Sequence, residues 1–218
     1  MSFLRKLRAA PVPLAAFVSL VAATLFLMTA LGIRGDTELA HLDGMVEDSL
    51  HAVKIESPGL TSFFQTFTRF GSWRRLTIVV AVVGLLLLWR RQHWLLAAWL
   101  SVIAGGALLE RELKELCQRP RPPYASSPES WSFPSGHTMA TVLVCGMSIY
   151  LMMLLFPRRS PAWLAGLALA ALTLLIAFSR IYLGQHYLSD VVGGLVAGLG
   201  WVAAWVGAIE ALRRRAAA

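Results

Sequence analysis

Six apolar runs, each able or nearly able to cross a bilayer, limit what this chain can fold into. They lie near residues 13–33, 72–89, 94–113, 138–156, 162–178 and 191–209. A spanning helix needs ~20 apolar residues, and backbone in the hydrocarbon core must bond to itself. The predicted fold class is therefore all-α: an integral membrane bundle of six transmembrane helices, read as one membrane-integral domain over residues 1–218. The second run is the weakest. Its uninterrupted part, Leu76 to Trp89, is short, and Arg74 and Arg75 must snorkel at the boundary. Arg5, Lys6 and Arg8 precede the first run as in a secretory signal. That run exceeds the ~7–15-residue core of a signal and no clean small-residue cleavage site follows, so an uncleaved first helix is predicted.

Composition agrees. The chain of 218 residues is 57% hydrophobic and 15% charged, where a soluble domain has about a quarter of its residues charged. A net charge of +8 raises the question of nucleic acid, but the basic residues stand in short clusters between apolar runs. That arrangement is a topology signal, and no nucleic-acid partner is expected. Cys117 and Cys145 are too few and too far apart for a disulfide framework or a zinc site.

The basic clusters also orient the chain. Arg5, Lys6 and Arg8 precede the first span, Arg90 and Arg91 follow the second, Arg158 and Arg159 follow the fourth, and Arg213 to Arg215 follow the sixth. With six spans all four clusters fall on one side, which the positive-inside rule makes cytoplasmic, together with both termini. Residues 36–70 then form the first outer loop. Leu39, Leu42, Val46, Leu50 and Val53 recur at helical steps, and Phe63, Phe64, Phe67 and Phe70 follow a Thr61-Ser62 helix start. Two short interfacial helices are predicted there, either packed on the bundle or bordering a lipid entrance.

Three polar blocks emerge on that same outer side. The first reads Lys114-Glu115-Leu116-Cys117-Gln118-Arg119-Pro120-Arg121-Pro122. Lysine and arginine suit phosphate oxygens as a point charge and a planar fork, and the prolines force an extended exit. Arg119 is expected to be a solvated boundary residue. The second block, Pro134-Ser135-Gly136-His137, opens a helix, where free N–H groups favour an anion. The third runs from Ser179-Arg180 to His186 and Asp190, which are four apart and share a face on a helical turn. A carboxylate on one imidazole nitrogen leaves the other free to act as a nucleophile. His41, His51 and His93 are expected at surfaces or interfaces.

In order, Lys-x6-Arg-Pro, Pro-Ser-Gly-His and Ser-Arg-x5-His-x3-Asp resemble the signature of the type 2 phosphatidic acid phosphatase superfamily at all eleven specified positions. The resemblance implies that His186 attacks phosphorus and becomes a phosphohistidine, that Asp190 orients it, and that His137 protonates the leaving oxygen. It further implies that Lys114, Arg121, Ser135, Gly136 and Arg180 hold the phosphoryl oxygens. No metal or other cofactor is expected, because three fixed cations can neutralise the transferring group. Soluble acid phosphatases and vanadium haloperoxidases share the motifs, but the apolar composition argues against both.

The expected substrate is a membrane lipid phosphate at the outer face of a bacterial cytoplasmic (inner) membrane. Undecaprenyl pyrophosphate, phosphatidylglycerophosphate and phosphatidic acid fit, with lipid A 1-phosphate as an alternative. A six-span transporter would carry its polar groups near mid-membrane, and a non-catalytic lipid-binding relative would have lost a histidine. Gly194 and Gly198 form a small-xxx-small pair read as packing within the bundle, leaving a monomer or a weak homodimer.

Overall fold

The computed structural model describes residues 11–35, 37–156 and 159–216, and every regular element in them is helical. In chain order these are α1 (Pro11–Gly32), α2 (Glu38–Glu56), α3 (Pro58–Thr68), α4 (Trp73–Trp89), α5 (His93–Cys117), α6 (Gly136–Leu155), α7 (Arg159–Tyr182) and α8 (Leu188–Ala216), with a 3-10 turn at Arg69–Gly71. The basic residues Arg5, Lys6, Arg8 and Arg158, and the Arg159 side chain, lie outside the described residues. Helices α1, α5, α6, α7 and α8 are each long and apolar enough to span. The second of the six expected spans is the weak one: α4 has 17 residues, about 25 Å at 1.5 Å per residue, against a core of ~30 Å. It meets α3 and the 3-10 turn at a 46° bend. Arg74 and Arg75 are exposed at its first turn, and the Arg75 guanidinium lies 5.1 Å from the Phe70 ring centre.

Helix α6 is the axis of the bundle, touching α4, α5, α7 and α8, while α1 lies along α8. Met139, Ala140, Leu143, Val144 and Met147 of α6 are buried against Leu95, Trp99 and Val102 of α5. Buried indoles need an acceptor; Trp99 Nε1 donates to the Val80 carbonyl at 3.2 Å and Trp201 Nε1 to that of Val102 at 2.9 Å. The glycine pair serves contact inside the bundle. A Cβ at Gly194 would stand 2.7 Å from the Ser135 carbonyl oxygen, and one at Gly198 2.8 Å from the Val142 Cβ. Only glycines let α8 rest on the first turns of α6. Outward-facing side chains are apolar and unpartnered, among them Leu20, Met28, Leu85 and Leu164, as lipid contact requires.

The α2 helix corrects one expectation. Leu42 and Val53 of the proposed apolar face are 45% and 42% exposed, whereas Asp43 and Glu47 are buried. Asp43 stands in the same helical arc as Leu39, Val46 and Leu50, and that arc turns inward because a cation waits there.

Candidate active site

The three polar blocks meet at one end of the bundle, where α5 and α7 finish and α6 and α8 begin. Gln118 ends α5 in the left-handed region (φ 46°), its N–H donating to the Lys114 carbonyl at 2.9 Å. The chain leaves the helix through the prolines, turns at Pro122–Ala125 and Ser127–Ser130, and closes on itself at Ser132, whose N–H donates to the Arg119 carbonyl at 2.8 Å. Gly184 (φ 67°) closes α7 as a left-handed cap with its N–H on the Ile181 carbonyl at 2.8 Å. His186 hangs in the following turn, its N–H 3.3 Å from the Arg180 carbonyl. Asp190, in the first turn of α8, reaches back to accept the Tyr187 N–H at 2.9 Å, one half of a capping box. The Ser135 N–H donates to the Asp190 carbonyl at 2.9 Å, joining the start of α6 to the start of α8.

His186 and Asp190 are almost wholly buried. Arg121 Nη1 lies 3.1 Å from His186 Nε2. A guanidinium can only donate, so Nε2 is the acceptor and the ring proton sits on Nδ1. Nδ1 is 3.3 Å from Ser132 Oγ and 3.6 Å from Asp190 Oδ2. The second separation exceeds hydrogen-bond length. The expected direct His–Asp contact is therefore bridged: Nδ1–H faces the Ser132 hydroxyl, which donates to Asp190 Oδ2. Burial pushes the imidazole down to about 4; Asp190 opposes the shift, and Arg180 and Arg121 add to it. His186 thus remains a neutral base with a free lone pair once Arg121 turns to another acceptor.

The cations gather around the two histidines. Arg121 Nη1 also donates to the Gln185 carbonyl at 2.8 Å, and its Nε donates to Ser130 Oγ at 2.8 Å. Arg180 donates to Thr68 Oγ1 at 3.0 Å, while its buried Nε has no partner among the described residues. Lys114 pairs with Glu110 at 3.0 Å, and that carboxylate rests against Gly136, 2.6 Å from where a Cβ would stand. His137 is within electrostatic reach of Arg180, His186, Lys114 and Arg121. Ser135 does not cap α6 with its side chain; its buried Oγ accepts from Thr138 Oγ1 at 3.0 Å. All eight expected site residues are therefore in one constellation. His41 is exposed on α2, His93 is exposed at the other end of α5, and His51 stacks on Tyr124 with ring centres 3.6 Å apart.

Arg119 overturns its assignment as a solvated boundary. Its side chain is only 11% exposed, with Nη1 2.7 Å from Asp190 Oδ1 and Nη2 2.7 Å from Asp43 Oδ2. Burial alone would depress its pKa, but Asp190 and Asp43 outweigh that and hold it above the usual arginine value.

The chain can now be set beside known proteins. Residues 94–214 match the model of the PAP2 superfamily. The chain belongs to that superfamily. Phosphatidylglycerophosphatase B of Bacillus subtilis is 31% identical over 151 residues, 68% of this chain and 74% of that protein. The decaprenylphosphoryl-5-phosphoribose phosphatase of Mycobacterium tuberculosis is 30% identical over 169 residues, 74% of this chain and 84% of that one. The crystal structure of the transmembrane PAP2-type phosphatidylglycerolphosphate phosphatase from Bacillus subtilis superposes with a TM-score of 0.79 at 25% identity, covering 90% of this chain and 97% of its own. This is a multi-pass membrane phosphatase of the PAP2 type, similar to lipid phosphatases.

Sequence reasoning missed Arg119, Asp43, Ser132 and Glu110. Only Asp43 left a signal, as a carboxylate in the middle of an apolar helical arc. Arg119 and Ser132 act through contacts between segments far apart in the chain, and Glu110 pairs with Lys114 one helical turn on.

Proposed function

We propose that the protein dephosphorylates a membrane lipid through a phosphohistidine on His186. The observation that carries this reading is the setting of His186: Nδ1–H directed at Ser132 and Asp190, and Nε2 facing the Arg121 guanidinium, which can be handed over to a phosphoryl oxygen. In the first step Nε2 bonds to phosphorus as the ester oxygen departs, taking a proton from His137. Water then gives that proton back to His137 and attacks phosphorus, the N–P bond breaks, and phosphate is released. Arg121, Arg180 and Lys114 neutralise the equatorial oxygens, the main work of phosphoryl transfer. The unpaired buried Nε of Arg180 supports an anion there, since buried N–H groups are rarely left without acceptors. The free N–H groups in the first turn of α6, from Gly136 onward, add a positive helix end.

The substrate carries its phosphate at the membrane boundary. Undecaprenyl pyrophosphate, phosphatidylglycerophosphate and phosphatidic acid fit, and the relatives named above favour a lipid. The site end lies opposite Arg90, Arg91 and Arg213. Those residues share their end with Phe156, whose ring centre is 5.3 Å from the Arg90 guanidinium, and with the Arg213–Glu210 pair. By the positive-inside rule the site therefore faces outward from a bacterial inner membrane. The cations supply the neutralisation without a metal, and chelators leave turnover intact.

The test is phosphate release by the purified protein against these lipids and lipid A 1-phosphate, with His186→Ala as control. Turnover on at least one lipid, lost in the variant, and an acid-labile phosphoenzyme support the reading. Full activity of His186→Ala overturns it.

A further inference from the structure

The motif residues leave Arg119, Asp43 and α2 without a task, yet these hold the most heavily bonded ion pairs among the described residues. Asp43 is 1% exposed. Its Oδ1 accepts the Ser189 N–H at 2.9 Å; its Oδ2 accepts from Arg119 Nη2 at 2.7 Å and from the Ser189 hydroxyl. Arg119 Nη1 reaches both Ser189 Oγ at 2.6 Å and Asp190 Oδ1 at 2.7 Å. The Tyr187 ring covers the guanidinium at 4.2 Å. One arginine fork therefore spans two buried carboxylates, a task that needs planar, divergent donors. It occupies the Asp190 oxygen that Ser132 and Tyr187 leave open, so neither oxygen can rotate.

The geometry points to Arg119 and Asp43 as positioning residues: together they clamp Asp190 in the orientation that aims His186 at phosphorus. This rests on the proposed role of His186. It also makes α2 part of the catalytic apparatus, although Asp43 lies outside the region, residues 94–214, that matches the family model. Neither residue touches the phosphoryl group, so the effect belongs to the chemical step. The arithmetic of charge agrees: two carboxylates and one guanidinium leave one negative charge beside His186, which balances the imidazolium character that the ring gains when Nε2 bonds to phosphorus.

Kinetics of the full chain in detergent, with a short-chain phosphatidylglycerophosphate as probe, test the clamp alongside thermal unfolding. Arg119→Ala lowers kcat by roughly 10²-fold, the cost of a small misplacement of a reacting group, and leaves KM within about twofold. Arg119→Lys keeps the charge without the fork and falls between wild type and alanine. Asp43→Asn alone lowers kcat. Combined with Arg119→Ala it restores part of the activity by removing a carboxylate left facing Asp190, a non-additivity expected of groups in one network. Should the alanine variant not fold, Arg119→Lys and the nearly isosteric Asp43→Asn carry the test. Wild-type kcat in these variants overturns the clamp, as does a loss that follows the unfolded fraction with no compensation in the double variant. Turnover by His186→Ala would instead remove the phosphohistidine reading. An inactive His186→Ala beside an unaffected Arg119→Ala would remove the clamp alone.

Discussion

The two sides of the proposed phosphate site are built in opposite ways. On the His186 side everything is fixed. His186 is 2% exposed, Asp190 is wholly buried, and three donors, from Arg119, Ser132 and the Tyr187 N–H, hold its carboxylate. On the side of Lys114 the site opens into a cleft of about 570 Å³, bordered by Trp73, Glu110, Arg111, Glu115 and Trp131. There the contacts are single and partly solvated, such as Lys114–Glu110 and Trp131 Nε1 on Glu115 at 3.3 Å. In the proposed mechanism the attacking group occupies the rigid half and the variable part of the substrate the adaptable one. Pre-organisation matters most where bonds are made, whereas a head group needs only room and a few contacts. A family can thus keep one reaction and change its lipid.

The largest effects should fall on the rigid side. Loss of the proposed nucleophile in His186→Ala should reduce turnover to background, on the order of 10⁶-fold, whereas His137→Ala should cost about 10²–10⁴-fold, the share of the general acid it is proposed to be. Measured kcat values of equal size would erase the distinction between the two histidines. Next comes Ser132→Ala, which leaves Nδ1 3.6 Å from Asp190 without a bridge. A charge-assisted bond of this kind is worth about 10–100-fold in kcat, and an unchanged kcat would mean that the carboxylate works alone.

Acidity offers a third way to break the contrast. Because burial holds His186 near 4, the acid limb of kcat/KM contributed by the nucleophile should lie near pH 4, not at the ordinary 6.5. The same depression contributes stability that is complete above about pH 6.5 and is lost as pH falls through about 4. A melting temperature flat from pH 7 to 4, or a limb at 6.5, would show that the imidazole is solvated. On the open side the expectation is milder. Trp131→Ala should raise KM about tenfold while leaving kcat close to wild type, since an indole edge is worth ~1–2 kcal/mol of contact. The smallest effect belongs to Leu42→Ser, on the exposed face of α2, which should change unfolding free energy by less than ~0.5 kcal/mol.

How much of this could be read from residues alone follows from where each signal lives. The spanning helices were legible because a bilayer imposes length and apolarity locally. Even the weakness of α4 was visible in its short uninterrupted stretch and paired arginines. The eight motif residues were legible because their spacing is peculiar. Arg119 was not: beside Pro120 and at a helix end it has the profile of any boundary cation, and its partners lie 76 and 71 positions away. The α2 face was misread for the same reason. Hydrophobic periodicity marks what leaves water, and a buried ion pair leaves water without being hydrophobic. Ser132 had no chance of notice, being one serine among several in a loop.

The link from the Ser135 N–H to the Asp190 carbonyl has a further consequence. It joins the residue preceding α6 to the first turn of α8 through main chain alone, one residue before Gly136-His137 and four after His186. No exchange of side chains, short of a proline at 135, can delete it. Drift elsewhere in the sequence can reshape the cleft walls or resize the segment before α4 while the gap between His137 and His186 stays as the polypeptide itself has measured it.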